Sequence, residues 1–241
     1  MAVRNVARSD AVWPASAVGV WHASDPDVPM IDQSVHHHDA SVIAGDTAPG
    51  ITDGIVGQAR VFDGIKNRLC STDSDGSMIF GTHSFSFETW VYVDHSHAGS
   101  DRPFTHGGAV ATDVGFDFEL GTSFWVPHLA DGTTLVEPVQ FQETLGRWVH
   151  LVAVVDREAG QLELYAQGVL VTMGTIPVGF GSIDEDRPIC FSSEAQPFVG
   201  KLDEPRVYSE PLDPAWIAAT YNNLANRSAF ITIGGQTAIS L

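Results

Sequence analysis

Basic residues are scarce in this chain: 12 lysines and arginines stand against 30 aspartates and glutamates, for a formal net charge of -18 over 241 residues. That balance opposes a phosphate backbone, so no nucleic acid partner is expected. A solvated acidic surface on an exported or salt-adapted protein explains it more simply than a surface built for one cation. Cysteine is scarcer still, with only Cys70 and Cys190, so at most one disulfide can form. Both adjoin strand-like apolar runs, and buried free thiols are at least as well supported as a bridge. No window approaches the ~18 consecutive apolar residues of a membrane-spanning helix, and no membrane insertion is expected. The first ten residues lack the apolar stretch of a signal peptide. Either the protein is cytoplasmic or this is a piece of a longer exported chain with flanking domains and Met1 added; the second is preferred. Helical heptads, a repeat period, a Gly-x-Ser-x-Gly elbow, an HExxH pair and a phosphate loop are all missing.

What is present is a set of alternating strands. Apolar residues make up 44% of the chain and charged ones 17%, with 23 glycines and 13 prolines, which suits one large β-sandwich with many turns. Phe85, Phe87, Thr89, Val91 and Val93 form one face of a run whose other face carries Ser86, Glu88, Trp90 and Tyr92, so this strand is central. Residues 146–156 and 161–171 read as two half-buried strands, the second turning at Gln167-Gly168. Residues 114–120 and 122–129 form a hairpin around Gly121, residues 57–64 a strand ending in an Asp63-Gly64 turn, and residues 67–72 its return strand. Asp213 as N-cap before Pro214, with Leu212 and Ile217 at staple spacing, marks one helix over residues 213–221. Residues 230–233 read as a last edge strand.

The run Gly200-Lys201-Leu202-Asp203-Glu204-Pro205-Arg206-Val207-Tyr208, followed by Leu212-Asp213-Pro214, resembles the "G-x-I-D-E-V-R-I-Y…L-S" signature that closes laminin-G-like, concanavalin A-type domains. Trp148-Val149-His150-Leu151-Val152-Ala153-Val154 and Leu162-Glu163-Leu164-Tyr165 are similar to the same family's "W-x-H-V-A-V" and "L-x-L-Y" strands. The resemblance covers most of residues 18–221 and implies an all-β fold: a two-sheet antiparallel jelly-roll sandwich, concanavalin A-like, with one short C-terminal helix. Residues 1–17 are expected to be a linker or edge segment and residues 18–241 the domain. Pro205 departs from the family pattern and, having no N–H, calls for an edge, bulge or loop there. The family also implies a noncatalytic, lectin-like binding or cell-adhesion module of an extracellular or cell-surface protein, recognising glycan or a surface protein. A structural assembly module is the alternative, and a glycoside hydrolase a second one.

Candidate site residues follow from chemistry that sugars and cations require. Asp117 and Glu119 on one strand face, with Trp125 and His128 on the next strand, supply carboxylate acceptors and an aromatic platform for a sugar. Residues 94–112, rich in His, Gly, Asp and Ser, read as a long ligand-contacting loop holding Asp101 and His106. The Glu-x-Asp-x-Glu spacing of sugar-cleaving relatives is missing, and Asp203 and Glu204 point to opposite faces, so no enzyme is expected. Glu88 is read as an ion-pair partner of Arg206, and His150 as a satisfied core histidine. The family resemblance gives Asp203 a calcium-holding role, with carbonyls near Gly64 and the first strand completing the cage; a buried aspartate satisfied by backbone N–H groups is the equal alternative. Three adjacent histidines, His36, His37 and His38, cannot all face one ion on an extended segment, because side chains alternate. An exposed, metal-free loop is expected there in preference to a zinc site.

Overall fold

The computed structural model describes residues 12–24, 29–94, 99–108, 112–122, 124–142, 145–184 and 187–225. The edge strand expected at residues 230–233 lies outside them, as do His95, His97 and residues 1–11. The strands are β1 (Ala17–Val20), β2 (Ala40–Val42), β3 (Gly50–Asp53), β4 (Gln58–Asp63), β5 (Leu69–Ser71), β6 (Phe85–Val93), β7 (Asp101–Gly107) and β8 (Val114–Leu120). They continue as β9 (Phe124–Asp131), β10 (Leu135–Val136), β11 (Phe141–Gln142), β12 (Arg147–Asp156), β13 (Gln161–Ala166), β14 (Val169–Thr175), β15 (Ile189–Phe191) and β16 (Val199–Tyr208). One helix, α1 (Pro214–Ala225), ends the described chain.

Two antiparallel sheets result. The first runs β14-β13-β12-β6-β16-β4-β3, with β1 beside β16; the second runs β10-β9-β8-β7-β15-β5-β2, with β11 beside β9. Alternate residues of each central strand meet between the sheets: Phe85, Phe87, Leu151, Leu162 and Leu202 from the first, and Phe104, Phe116, Phe118, Leu129 and Phe191 from the second. The expected sandwich is therefore observed. Gln167 and Gly168 both have positive φ, the twist that a two-residue hairpin between β13 and β14 requires.

Three expectations change. Residues 94–112 are not simply a loop, because β7 occupies Asp101–Gly107, between β8 and β15. Pro103 and a register shift between Asp101 and Phe104 break the two-residue period that would have revealed this strand. β5 does not return against β4; it crosses to the second sheet and pairs with β2 and β15. Helix α1 extends past residue 221 to Ala225, with the Asp213 carboxylate accepting from the Ala215 amide at 2.7 Å. Ile217 is its buried residue, while Trp216 faces solvent.

Cys70 and Cys190 are directly opposed in the β5–β15 ladder and are joined by a disulfide. The bridge closes a separation of 120 residues, which by loop-closure entropy corresponds to about 4 to 5 kcal/mol of stability. Replacing both cysteines by serine should lower the melting temperature by about 10 to 20 °C in calorimetry. An unchanged midpoint would show that the bridge contributes nothing.

Candidate functional site

On β8, Asp117 and Glu119 point outward, between the inward Phe116, Phe118 and Leu120. His128 stands opposite Asp117 on β9, and its Nδ1 lies 2.9 Å from Asp117 Oδ1. Arg102 reaches in from β7, with Nε 3.1 Å from Asp117 Oδ2 and Nη2 3.6 Å from Glu119 Oε2. Ser100 Oγ donates to Glu119 Oε1 at 2.7 Å, and His128 Nε2 lies 3.3 Å from Glu137 Oε2. Burial works against a charge on His128, but the hydrogen bond and charge of Asp117, aided by Glu119, override it and raise its proton affinity. Asp117 Oδ1 meets His128, while Oδ2 lies 3.1 Å from Arg102 Nε without a hydrogen bond, and burial raises the Asp117 carboxyl against the pull of His128 and Arg102; the group is an ion cluster.

Of the expected ligand contacts, only Asp117, Glu119 and His128 are brought together. Trp125 pairs with Leu120, and therefore lies on the inner face, fully buried. It cannot offer a stacking platform there. Asp101 is spent on structure, accepting from the Val199 amide at 3.0 Å. His106 points inward edge-on to Phe80, and burial pushes its pKa down to about 4, against the charges of Asp73 and Asp184.

Over the same outer face, beside the cluster, lies a groove of about 440 Å³. Its walls include Arg68, Arg102, Arg187, Asp113 and Glu194, and its floor includes Thr105 and both bridged cysteines. Arg68 Nε contacts Asp46 at 2.7 Å and its Nη1 contacts Glu194 at 3.1 Å, while Arg187 Nη1 contacts Asp113 at 3.2 Å. These arginines carry no sequence motif, since each is a lone cation in a different segment.

The outer face of the first sheet is covered around Glu88 and Arg206. Arg206 donates to Glu88 Oε1 at 3.1 Å and to Glu204 Oε2 at 2.6 Å. His150 Nε2 lies 3.0 Å from Glu88 Oε1, and Tyr208 donates to Glu88 Oε2 at 3.3 Å. His22 Nδ1 is 3.0 Å from both oxygens of Glu204. Glu88, His150, Glu204 and Arg206 are all buried. Trp13 lies under the guanidinium, and Tyr221 of α1 stacks on Trp90. Burial would raise the Glu88 carboxyl, but Arg206 and His150 outweigh it and hold it low. The expected Glu88–Arg206 pair is thus present, and Pro205 sits in the expected bulge, beside Glu204 at φ 50°.

The calcium donors do not fit. Asp203 accepts from the Val56 and Glu204 amides at 3.0 and 2.9 Å, so N–H groups, which repel a cation, already point at both oxygens. Gly64 abuts Val199 at the far end of β4, whereas Asp203 meets the segment near Gly54. Burial pushes Asp203 up to about 7 against these amide bonds, with Glu204 adding to the rise. The histidine tract is not the exposed loop expected: His38 is buried, and it and His36 turn toward Asp75. His37 faces solvent because its backbone, at φ 59°, turns it outward.

Two antiparallel sheets with closing strand β16 at the centre of one and a polar groove on the other define a lectin-type sandwich. The chain belongs to the concanavalin A-like lectin/glucanases superfamily, whose Laminin_G_3 family model matches residues 63–218. Among solved structures, it is similar to the binding domain of Paraclostridial Mosquitocidal Protein 1, at 16% identity and a TM-score of 0.71, covering 88% of this chain and 53% of that one. The botulinum neurotoxin serotype G binding domain matches at 12% identity and a TM-score of 0.71, over 87% of this chain and 51% of that one. The serotype D ligand binding domain, solved with N-acetylneuraminic acid, matches at 12% identity and a TM-score of 0.69, over 88% and 52%. The chain spans about half the length of each. A comparison with curated proteins gave no match.

The buried titrating groups set the sign of the pH response. The hydrogen bond to Glu204 raises His22 above the ordinary 6.5 of an imidazole, against the cost of burial, so that stabilisation is complete below the unfolded value and is lost as pH rises through the folded one. Asp203, raised to about 7 from 3.8, binds its proton more tightly when folded, so stability also falls as pH climbs between those values. His106, held down at about 4, acts in the opposite sense up to its unfolded 6.5, so the urea midpoint should decline from about pH 6.5 to about pH 8, and His22→Gln should flatten that decline. A midpoint that rises with pH across this window would contradict both assignments.

Proposed function

We propose that this chain is a noncatalytic binding module of an extracellular protein, and that its ligand is a glycan lying in the groove over the outer face of the second sheet. The observation that carries this reading is the convergence of Arg68, Arg102 and Arg187, three of only 12 basic residues, beside the outward Asp117, Glu119 and His128. Arginine forks held by carboxylates present donors and acceptors in fixed directions, which is what vicinal hydroxyls and sugar carboxylates need. The half-apolar floor at the disulfide and Pro188 complements a sugar's C–H face. A disulfide across neighbouring strands also favours an oxidising, extracellular setting. The serotype D neurotoxin domain that holds N-acetylneuraminic acid supports binding over catalysis, by likeness of fold.

One observation favours an assembly role instead. Strand β14 forms an edge of the first sheet, and Val169, Leu170 and Met173 on it are exposed. An apolar edge strand is a template for pairing with another chain.

A glycan array of neutral and sialylated oligosaccharides, followed by calorimetric titration, separates these readings. Saturable binding that Arg187→Ala and Arg68→Ala each weaken at least about tenfold, with the melting temperature nearly unchanged, is the expected result. Binding that ignores both substitutions would overturn the groove assignment, and release of sugar from polysaccharide would overturn the noncatalytic reading. Trp125→Ala should lower stability by about 3 to 5 kcal/mol, as a core truncation does.

A further inference from the structure

We propose that His36, His38 and Asp75 form a site for a divalent transition-metal ion of the zinc type, separate from the groove. Their ligand atoms all lie within 4.8 Å of one another. His36 Nδ1 is 2.7 Å from Asp75 Oδ2, and His38 Nε2 is 3.3 Å from Asp75 Oδ1. Tetrahedral zinc with bonds of about 2.0 to 2.1 Å places its ligands about 3.3 Å apart, so the cluster, already within 4.8 Å, has to close around the ion by movement of His36 as well as the half-exposed Asp75.

The wiring of His38 decides what its ring can do. Its Nδ1 lies 3.0 Å from the Thr72 carbonyl oxygen, which can only accept, so Nδ1 carries the hydrogen and Nε2 presents the lone pair. That lone pair accepts from the Ser77 hydroxyl at 2.8 Å and lies 3.3 Å from Asp75 Oδ1, itself an acceptor for the Ser77 amide, and 3.6 Å from Asp73 Oδ1. A divalent cation there would take the place of the Ser77 hydroxyl at the lone pair and draw the carboxylates to the same point. A carbonyl that fixes the tautomer and orientation of a ligating imidazole is the usual outer shell of a zinc histidine.

The backbone around these groups is equally well held. The buried Asp32 carboxylate accepts from the Val20 and Ser34 amides at 2.8 Å and from the His38 amide at 2.7 Å, and Trp21 Nε1 donates to the His38 carbonyl at 2.9 Å. His37, in the left-handed region at φ 59°, turns outward and lets His36 and His38 stack at 5.7 Å on one side. The opposing turn is tied by Asp73, which accepts from the Gly76 and Met78 amides at 2.8 and 3.1 Å. Asp75, 45% exposed, leaves a path for entry and an open coordination position for water. Imidazole nitrogens beside a single carboxylate suit zinc, nickel or copper better than calcium or magnesium, which favour all-oxygen cages.

The test is calorimetric titration of the full chain, freed of metal, with zinc sulfate, and in parallel with calcium and magnesium chloride. Expected are one equivalent of zinc bound at micromolar concentration or tighter, a rise of several degrees in melting temperature, and no comparable effect of calcium or magnesium. His36→Ala and Asp75→Ala, both at accessible positions, should each weaken zinc at least tenfold, whereas His37→Ala should not. Cobalt substitution gives an independent readout, a visible absorption band that His36→Ala abolishes. Zinc binding untouched by His36→Ala and Asp75→Ala, or no saturable binding, would overturn the proposal.

Discussion

The Glu88–Arg206 pair, buried between β6 and β16 on the outer face of the first sheet, is the constraint around which the molecule is arranged. Two charges withdrawn from water cost several kcal/mol each unless every lone pair and proton is met. Here the carboxylate is met by Arg206, His150 and Tyr208, and the guanidinium by Glu88 and Glu204, with Arg206 Nε and His150 Nδ1 the atoms left without a hydrogen bond. Satisfying that set requires Glu204 to leave the ladder in a bulge at Pro205, which brings its carboxylate beside Arg206 and His22. The covering layer of Trp13 and Tyr221 then excludes water. The patch so occupied is not open to a ligand.

The second sheet differs because its outer face holds charges that remain partly wet. Arg102, Glu119 and Glu137 surround the buried Asp117–His128 contact, and Arg68 and Arg187 stand across the groove. The disulfide fixes β5 to β15 under that groove and, two residues on, anchors the turn that carries Asp73 and Asp75. Groove and histidine cluster are thus separate in chemistry but share one rigid support, which is how the sandwich holds polar side chains at fixed separations without a large pocket.

Much of this was legible in the letters. Phe85 to Val93 alternates with apolar groups on both faces, and only a central strand needs that pattern. The acids and arginine of β16 and the lone Glu88 implied each other, because neither can be buried alone. Asp213-Pro214 marked the helix start by N-cap chemistry. Other features were hidden for identifiable reasons. Trp125 looks adjacent to Asp117 and Glu119, but parity carried through the turn at Gly121 pairs it with Leu120, and so with the core. That signal existed in the spacing. Strand β7 was masked by Pro103 and a register shift, and the partner of β5 is set by a long-range crossover that no local pattern encodes. The histidine tract hides a convergence that depends on His37 turning into the left-handed region and on a carboxylate thirty-seven residues beyond His38.

A double-mutant cycle on Glu88 and Arg206, measured by urea denaturation, tests the central claim most directly. Glu88→Leu and Arg206→Met should each cost about 3 to 5 kcal/mol by stranding the partner's charge, while the double variant should recover much of that loss, giving a coupling above about 2 kcal/mol. Additive losses with coupling below about 0.5 kcal/mol would contradict it, because the two charges would then be solvated independently and the first sheet's outer face would be open to water.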